Sequence, residues 1–452
     1  MTQGNPLLLI LKFALPLLMG NLLQQTYNVV DAAIVGRILG TNALAGVGAS
    51  SSVQFLILGF CFGTCSGFGI PIAQSFGAKD YKHLKNLLFH GYLLSVLFAV
   101  ILTLTCSLLC ADILRMLSTP EEIFSDAYTY LLIIFLGIPF TILYNLLSGY
   151  LRAVGDSRTP FIFLAISTVL NIGFDFLCIA VFHWGVAGAA IATIFSQFLS
   201  GILCLIVIVK KSKILHISKE NCRISRSDTG TMLMMGAPMG LQFSITAIGS
   251  MFMQTANNGL GSIYVSGFTA GNRIKQFVMC PFDAIATAVS VFCGQNYGAG
   301  LYERIKKGIR TGFAINIFYG ILSGIALIFF GRNMSMLFMK ASESAVLDAS
   351  AKYLACLGSC YWLLGCLAIF RLSVQGLGFS GRAVFSGVSE MIARIGVSLI
   401  FVPLFGYTGI CWADQSAWAA ACLYLFPTLR HCLKKVRTSL RTGQSMPGSQ
   451  PK

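Results

Sequence analysis

The residues with chemistry to offer sit where a chain usually avoids them. The stretch NLLQQTYNVVDAAIVGR, residues 21–37, carries Asn21, Gln24, Gln25, Asn28 and Asp31 inside a long apolar run. Thr168, Asn171 and Asp175 recur in a second such run, and Thr193 lies in a third. An Asp near the centre of a bilayer costs roughly 2.5–3.5 kcal/mol on the insertion scale, so it marks a use. Helical spacing puts residues 21, 24, 25, 28 and 31 on one stripe, and puts Asn171 and Asp175 one turn apart on one face. Two carboxyls brought together in a low dielectric cannot both stay charged, so such a pair can carry a proton. The same oxygens, joined by the Asn171 amide and the Thr193 hydroxyl, could instead ligate Na⁺. The bland alternative is a buried network that only fixes packing, but packing seldom needs two acids at membrane depth.

The elements that must position these groups are membrane helices. The chain has 452 residues, of which 56% are hydrophobic and 11% charged. A soluble domain carries about 25% charged residues, so this is an all-α, multi-pass membrane protein. A spanning helix takes about 20 mainly apolar residues. The expected spans are 12–36, 44–74, 87–111, 128–151, 160–182, 186–209, 230–256, 263–293, 309–331, 350–371, 383–403 and 408–429. No cleavable signal is visible in residues 1–12, so the first span is expected to stay as an anchor. With the N-terminus in the cytoplasm, 24 of the 32 Lys and Arg fall in cytoplasmic segments, Arg371 among them. That bias predicts both termini in the cytoplasm, in the inner membrane of a prokaryote. It also accounts for the net charge of +16 without a nucleic-acid partner. At 1.5 Å per residue, Asp31 lies about 8 Å below the outer end of its span, and Asp175 and Thr193 about 11 Å below theirs. Three helices thus bring polar groups to one level.

Soluble-enzyme chemistry is missing from the pattern. GTCSGFG at 63–69 looks like a phosphate loop but lies in a span with no Lys after it, so it reads as packing. No Ser/His/Asp set and no metal-spaced His group stands out. The fifteen Cys lie mostly in apolar runs, without a CxxC pair, and read as small packing residues.

The chain repeats itself. QSFGAKD at 74–80 matches QNYGAGL at 295–301, LRAVGD at 151–156 matches LSVQGL at 372–377, and WGVAGAA at 184–190 matches FGYTGIC at 405–411, all 221 residues apart. Six spans per half make a parallel repeat, as in transporters whose two bundles rock about a cavity. The expected division is an N-terminal lobe at 1–209, a cytoplasmic linker at 210–229, a C-terminal lobe at 230–432 and a basic tail at 433–452. The acids are not duplicated: Phe252 and Gly396 stand 221 residues after Asp31 and Asp175. Coupling chemistry is therefore expected in the first lobe. In the second, Glu390 and Arg394 are one turn apart and expected to pair. Arg273, Lys275 and Asp283 are expected to neutralise one another in part along span eight. Gln242 and Thr246 belong to a weaker polar stripe that either lines a cavity or bonds to neighbouring helices.

Several motifs now resemble one family. DAAIVGRILGTNALAGVG after span one, AQSFGAKD after span two, LRAVGDSRTP after span four and GQNYGAG after span eight are similar to multidrug and toxic compound extrusion (MATE) transporters. The resemblance implies a twelve-helix, two-lobed antiporter that exports organic, often cationic compounds against H⁺ or Na⁺. It implies a monomer with small-molecule substrates, no cofactor and no catalytic residues. It further implies a cation site at Asp31, Asn171 and Asp175, with Thr193 matching a polar position of the sixth span. The DinF-like branch adds an Asn from span four, for which Ser148 stands here. The NorM-like branch has carboxylates at positions that hold Thr246 and Leu364 here, so the sequence looks closer to the DinF-like branch. Distant relatives flip lipid-linked precursors. That alternative would use Arg273, Lys275 and Arg394 for phosphate, and the acids of the first half speak against it.

Overall fold

In lipid the backbone must satisfy its own hydrogen bonds, so apolar runs of this length become helices. The computed structural model describes residues 1–117, 119–217 and 222–442, and all regular structure among them is helical. Ser118, the part of the linker at 218–221 and the tail from 443 onward lie outside the described residues.

The first half comprises α1 (Pro6–Ile38), α2 (Thr41–Gly77), α3 (Tyr81–Leu108), the short α4 (Cys110–Met116), α5 (Glu121–Leu136), α6 (Ile138–Ala153), α7 (Arg158–Phe176) and α8 (Gly185–Lys211). The second comprises α9 (Arg226–Asn258), α10 (Ser262–Gly298), α11 (Tyr302–Ser335), α12 (Ser344–Ser359), α13 (Tyr361–Gly376), α14 (Ser380–Gly396), α15 (Val402–Phe405) and α16 (Tyr407–Thr442). Loop acids start helices: Asp80 accepts from the His83 N–H, and Asp156 from those of Arg158 and Thr159.

Span four is bent by 47° between α5 and α6, and span ten by 55° between α12 and α13. Counting each bent pair once, eleven segments among the described residues are long and apolar enough to cross a membrane. The twelfth expected span, α16, is long but carries Asp414, Gln415 and a basic last third. Its polar residues are tolerated because α16 packs against α12, α13 and α14.

The repeat is visible in the backbone. Helices α2 and α10 are both 37 residues long. Each half has a five-residue π-turn after its fifth span, at Leu177–Val181 and Val397–Phe401. Gly40 and Gly261, 221 positions apart, both take φ near +100° (92° and 106°), a conformation open to glycine, before α2 and α10. Helix pairings also repeat: α2 meets α5 and α6 as α10 meets α12 and α13, and α7 meets α8 as α14 meets α16.

By packing, the described residues fall into two units, Met19–Gly240 and Met1–Leu18 with Leu241–Thr442. That division by packing runs through α1 and α9. Helix α9 runs unbroken from Arg226, and its first part belongs to the first unit because glycines let it reach α2. A Cβ on Gly67 would come 2.5 Å from Met235 O.

The other unit has a comparable contact. A Cβ on Gly358 of α12 would come 2.5 Å from Gly324 O of α11. Backbone cannot move aside as a side chain can. Gly358→Ala is therefore expected to lower stability by about 1–3 kcal/mol. Gly381→Ala, with open space around it, serves as the neutral comparison. Thermal unfolding of the two variants in detergent measures the difference.

Candidate functional site

Helix α7 has two faces of opposite character. Val169, Leu170 and Phe176 are 70%, 41% and 59% exposed, while Thr168, Asn171 and Asp175 are buried on the other side. The acid therefore points inward. It stands directly before the π-turn, a feature often found at functional sites. Asp31 of α1 is buried too, and its carboxyl lies close enough to that of Asp175 for the two to interact electrostatically.

Tyr27, one turn before Asp31, bonds through its hydroxyl to Thr193 Oγ1 at 2.8 Å, and Thr193 donates to Ala189 O at 3.0 Å. Tyr130 of α5 lies near both carboxyls, with Gln54 of α2 beside its hydroxyl. Val35, Ala43, Ile134, Ile179, Val186, Ala189 and Ala190 form a small apolar cluster from the helices that supply these groups. Five helices thus converge on two acids.

The polar atoms at the centre lack protein partners. Asp31 Oδ1, both Asp175 oxygens and both Asn171 amide atoms are buried without a hydrogen bond. Ionised carboxylates only accept, so two in contact repel and leave their lone pairs unanswered. One shared proton turns the same contact into an O–H···O bond. Among the described residues no group of three or more His, Cys, Asp and Glu gathers as a metal site.

The rest of the first-span stripe differs in exposure. Gln24 and Asn28 are exposed, Asn21 and Gln25 half-buried, and only Asp31 is enclosed. Ser148 is buried, donates to Asn145 O at 3.1 Å and accepts from Arg152 at 3.4 Å. Gln54, Tyr27 and Tyr130 were missed in the sequence. Tyr27 alone had a signal, its place four residues before Asp31.

The other unit holds an ion-pair ladder. Lys275 of α10 reaches Asp414 of α16 at 2.8 Å, and Tyr353 of α12 donates to the same oxygen at 3.0 Å. The other Asp414 oxygen takes Arg394 of α14 at 3.1 Å. Arg394 pairs with Glu390 at 3.5 Å, as its spacing predicts. Glu390 also pairs with Arg371 of α13, which donates to Ser386 at 3.1 Å.

Two expectations are corrected here. Arg371 is not in a cytoplasmic loop, because α13 continues past it to Gly376 and its side chain is mostly buried. Lys275 is not neutralised along its own helix but by Asp414 of α16, since Asp283, the acid of its own helix, stands eight residues and about 12 Å further along. Gln242 is buried and accepts from Gln375 at 2.6 Å, while the Thr246 hydroxyl is buried without a partner.

None of the fifteen cysteines is joined in a disulfide among the described residues.

Comparison with known proteins gives the family and the fold. The MatE family model matches the chain twice, over residues 16–177 and 238–400. The chain is 31% identical over 411 residues to the probable multidrug resistance protein YpnP of Bacillus subtilis, covering 90% of this chain and 91% of that protein. It is 28% identical over 436 residues to the probable multidrug resistance protein YoeA of the same organism, covering 94% and 93%. A crystal structure of MATE in complex with MaL6 superposes with a TM-score of 0.90 at 22% identity, covering 97% of this chain and 98% of that one.

Proposed function

Because this chain belongs to the MATE family of multi-pass multidrug efflux transporters, we propose that it is an antiporter that exports organic, often cationic compounds in exchange for H⁺ bound by Asp31 and Asp175. The observation that carries this reading is the contact of two buried carboxyls from different helices with no basic group between them. In the outward-open state a proton enters and the two acids bond. The packing of α1 against α7 and α8 changes, and substrate is released outward. When the proton leaves to the cytoplasm, repulsion reopens the site. A pH unit is worth about 1.4 kcal/mol and 100 mV about 2.3 kcal/mol per charge, enough to sustain a substrate gradient. The basic loops favour both termini in the cytoplasm and the inner membrane of a prokaryote. The absence of carboxylates at Thr246 and Leu364 favours the DinF-like branch.

Lipid-linked precursor flipping would need free cations for phosphate. Of the three candidate cations Lys275 and Arg394 are each bound to acids, which leaves Arg273 alone and weighs against it.

The test is substrate efflux from proteoliposomes under an imposed pH or Na⁺ gradient, one at a time. The pH gradient alone should drive transport. Transport driven by Na⁺ alone would assign the pair to Na⁺, and transport driven by neither would reject antiport.

Tyr27→Phe keeps the ring and removes the bond to Thr193. It should slow proton-driven efflux about threefold to tenfold, the value of one neutral hydrogen bond. Initial rates in the same vesicles check this.

A further inference from the structure

Helix α10 carries two charges that the chain leaves unanswered. Thr269, Asn272, Arg273, Gln276, Asp283 and Thr287 lie within about 100° of one another around the helix. Thr269 and Asp283 are exposed and the others partly accessible. Gly271, Ile274, Phe282, Ile285 and Val289 are buried on the other side. A face turned to lipid would be apolar, so this one borders water.

The buried charges of the same unit are all paired. Lys275, Arg394 and Arg371 are held by Asp414 and Glu390. Arg273 and Asp283 take part in no ion pair among the described residues. Asp283 feels the charge of Arg371, but that guanidinium is already bound to Glu390. A charge kept open on an accessible membrane helix has a ligand as its natural partner. The two differ in sign and stand ten residues apart, which is about 15 Å along the axis.

We propose that this face of α10 is a substrate-binding wall that selects dipolar organic compounds. Asp283 takes the cationic group. Arg273 takes a carboxylate or phosphate, whose oxygens match the guanidinium fork. The flexible Arg stem accommodates separations up to about 15 Å. The inference rests on the export reading and narrows its substrate class.

The test uses the purified full chain with rhodamine B, which carries a cation and a carboxylate, and its ethyl ester, which carries the cation alone. Binding is read by fluorescence anisotropy and efflux in proteoliposomes. The parent chain should bind rhodamine B about tenfold tighter than the ester, as expected for one charge-assisted bond. Arg273→Gln should erase the difference between the probes, Arg273→Lys should retain part of it, and Asp283→Asn should weaken both. Equal affinities in the parent chain, or a preference that survives Arg273→Gln, would overturn the inference while leaving export intact. Failure of the parent chain to bind or move either probe would overturn both readings.

Discussion

Asp31→Asn and Asp175→Asn should each abolish ion-driven efflux, by about a hundredfold or more, while the protein still accumulates in the membrane. Asn has the shape of Asp but cannot take up and release a proton. Its amide can donate to the remaining carboxylate, so each variant resembles the loaded state permanently. Both acids are enclosed, at 8% and 0% exposure, so no outside group can replace them. Moving a two-state element from 1:99 to 99:1 takes about 5.5 kcal/mol of differential binding. A pair that no longer titrates supplies none of it. Folding should survive, because a carboxylate repulsion is replaced by a hydrogen bond. Efflux under a pH gradient, with thermal unfolding as the folding control, decides the matter. Near-normal efflux from both variants would refute the coupling role.

The second large effect is on stability. Asp414→Asn should destabilise the protein by about 3–5 kcal/mol, because it strands Lys275 and leaves Arg394 with Glu390 alone. Lys275 and Arg394 both depend on this carboxylate. Lys275→Met should cost less, since Asp414 keeps Arg394 and the Tyr353 hydroxyl. Glu390→Gln should fall between them, as Arg394 retains Asp414 while Arg371 loses its acid. The order is the diagnostic result. Unfolding temperatures in detergent that place Lys275→Met at or below Asp414→Asn would show that the ladder does not work this way.

The contrast between the two halves is physical. A pair of like charges is destabilising unless an ion joins it, so it changes with the ion. A ladder of alternating charges satisfies itself, so it does not. On the export reading, the duplication produced one bundle with an ion-dependent centre and one with a fixed frame of paired charges.

Much of the fold was legible in the sequence because lipid leaves few options. Runs of apolar residues such as 87–111 and 186–209 could only be helices; α3 covers the first as far as Leu108, and α8 covers the second in full. The 221-residue offset foretold matching helices, because equal lengths between glycine-marked turns fix equal elements. The inward face of Asn171 and Asp175 followed from helical period alone. Sequence could also say that Glu390 and Arg394 meet, since residues one turn apart are neighbours whatever surrounds them.

Only the tertiary structure decided which helices share a site. That Asp31 meets Asp175 across 144 positions, with Tyr130 and Gln54 beside them, depends on how α1, α2, α5 and α7 pack. The same holds for Lys275 with Asp414, and for Arg371, whose basic charge looked like a loop marker until α13 carried it inside. Local spacing sets which way a side chain leaves its own helix, because the helical period is fixed by the backbone. Its partner on another helix is set by packing between helices, which no short-range periodicity encodes.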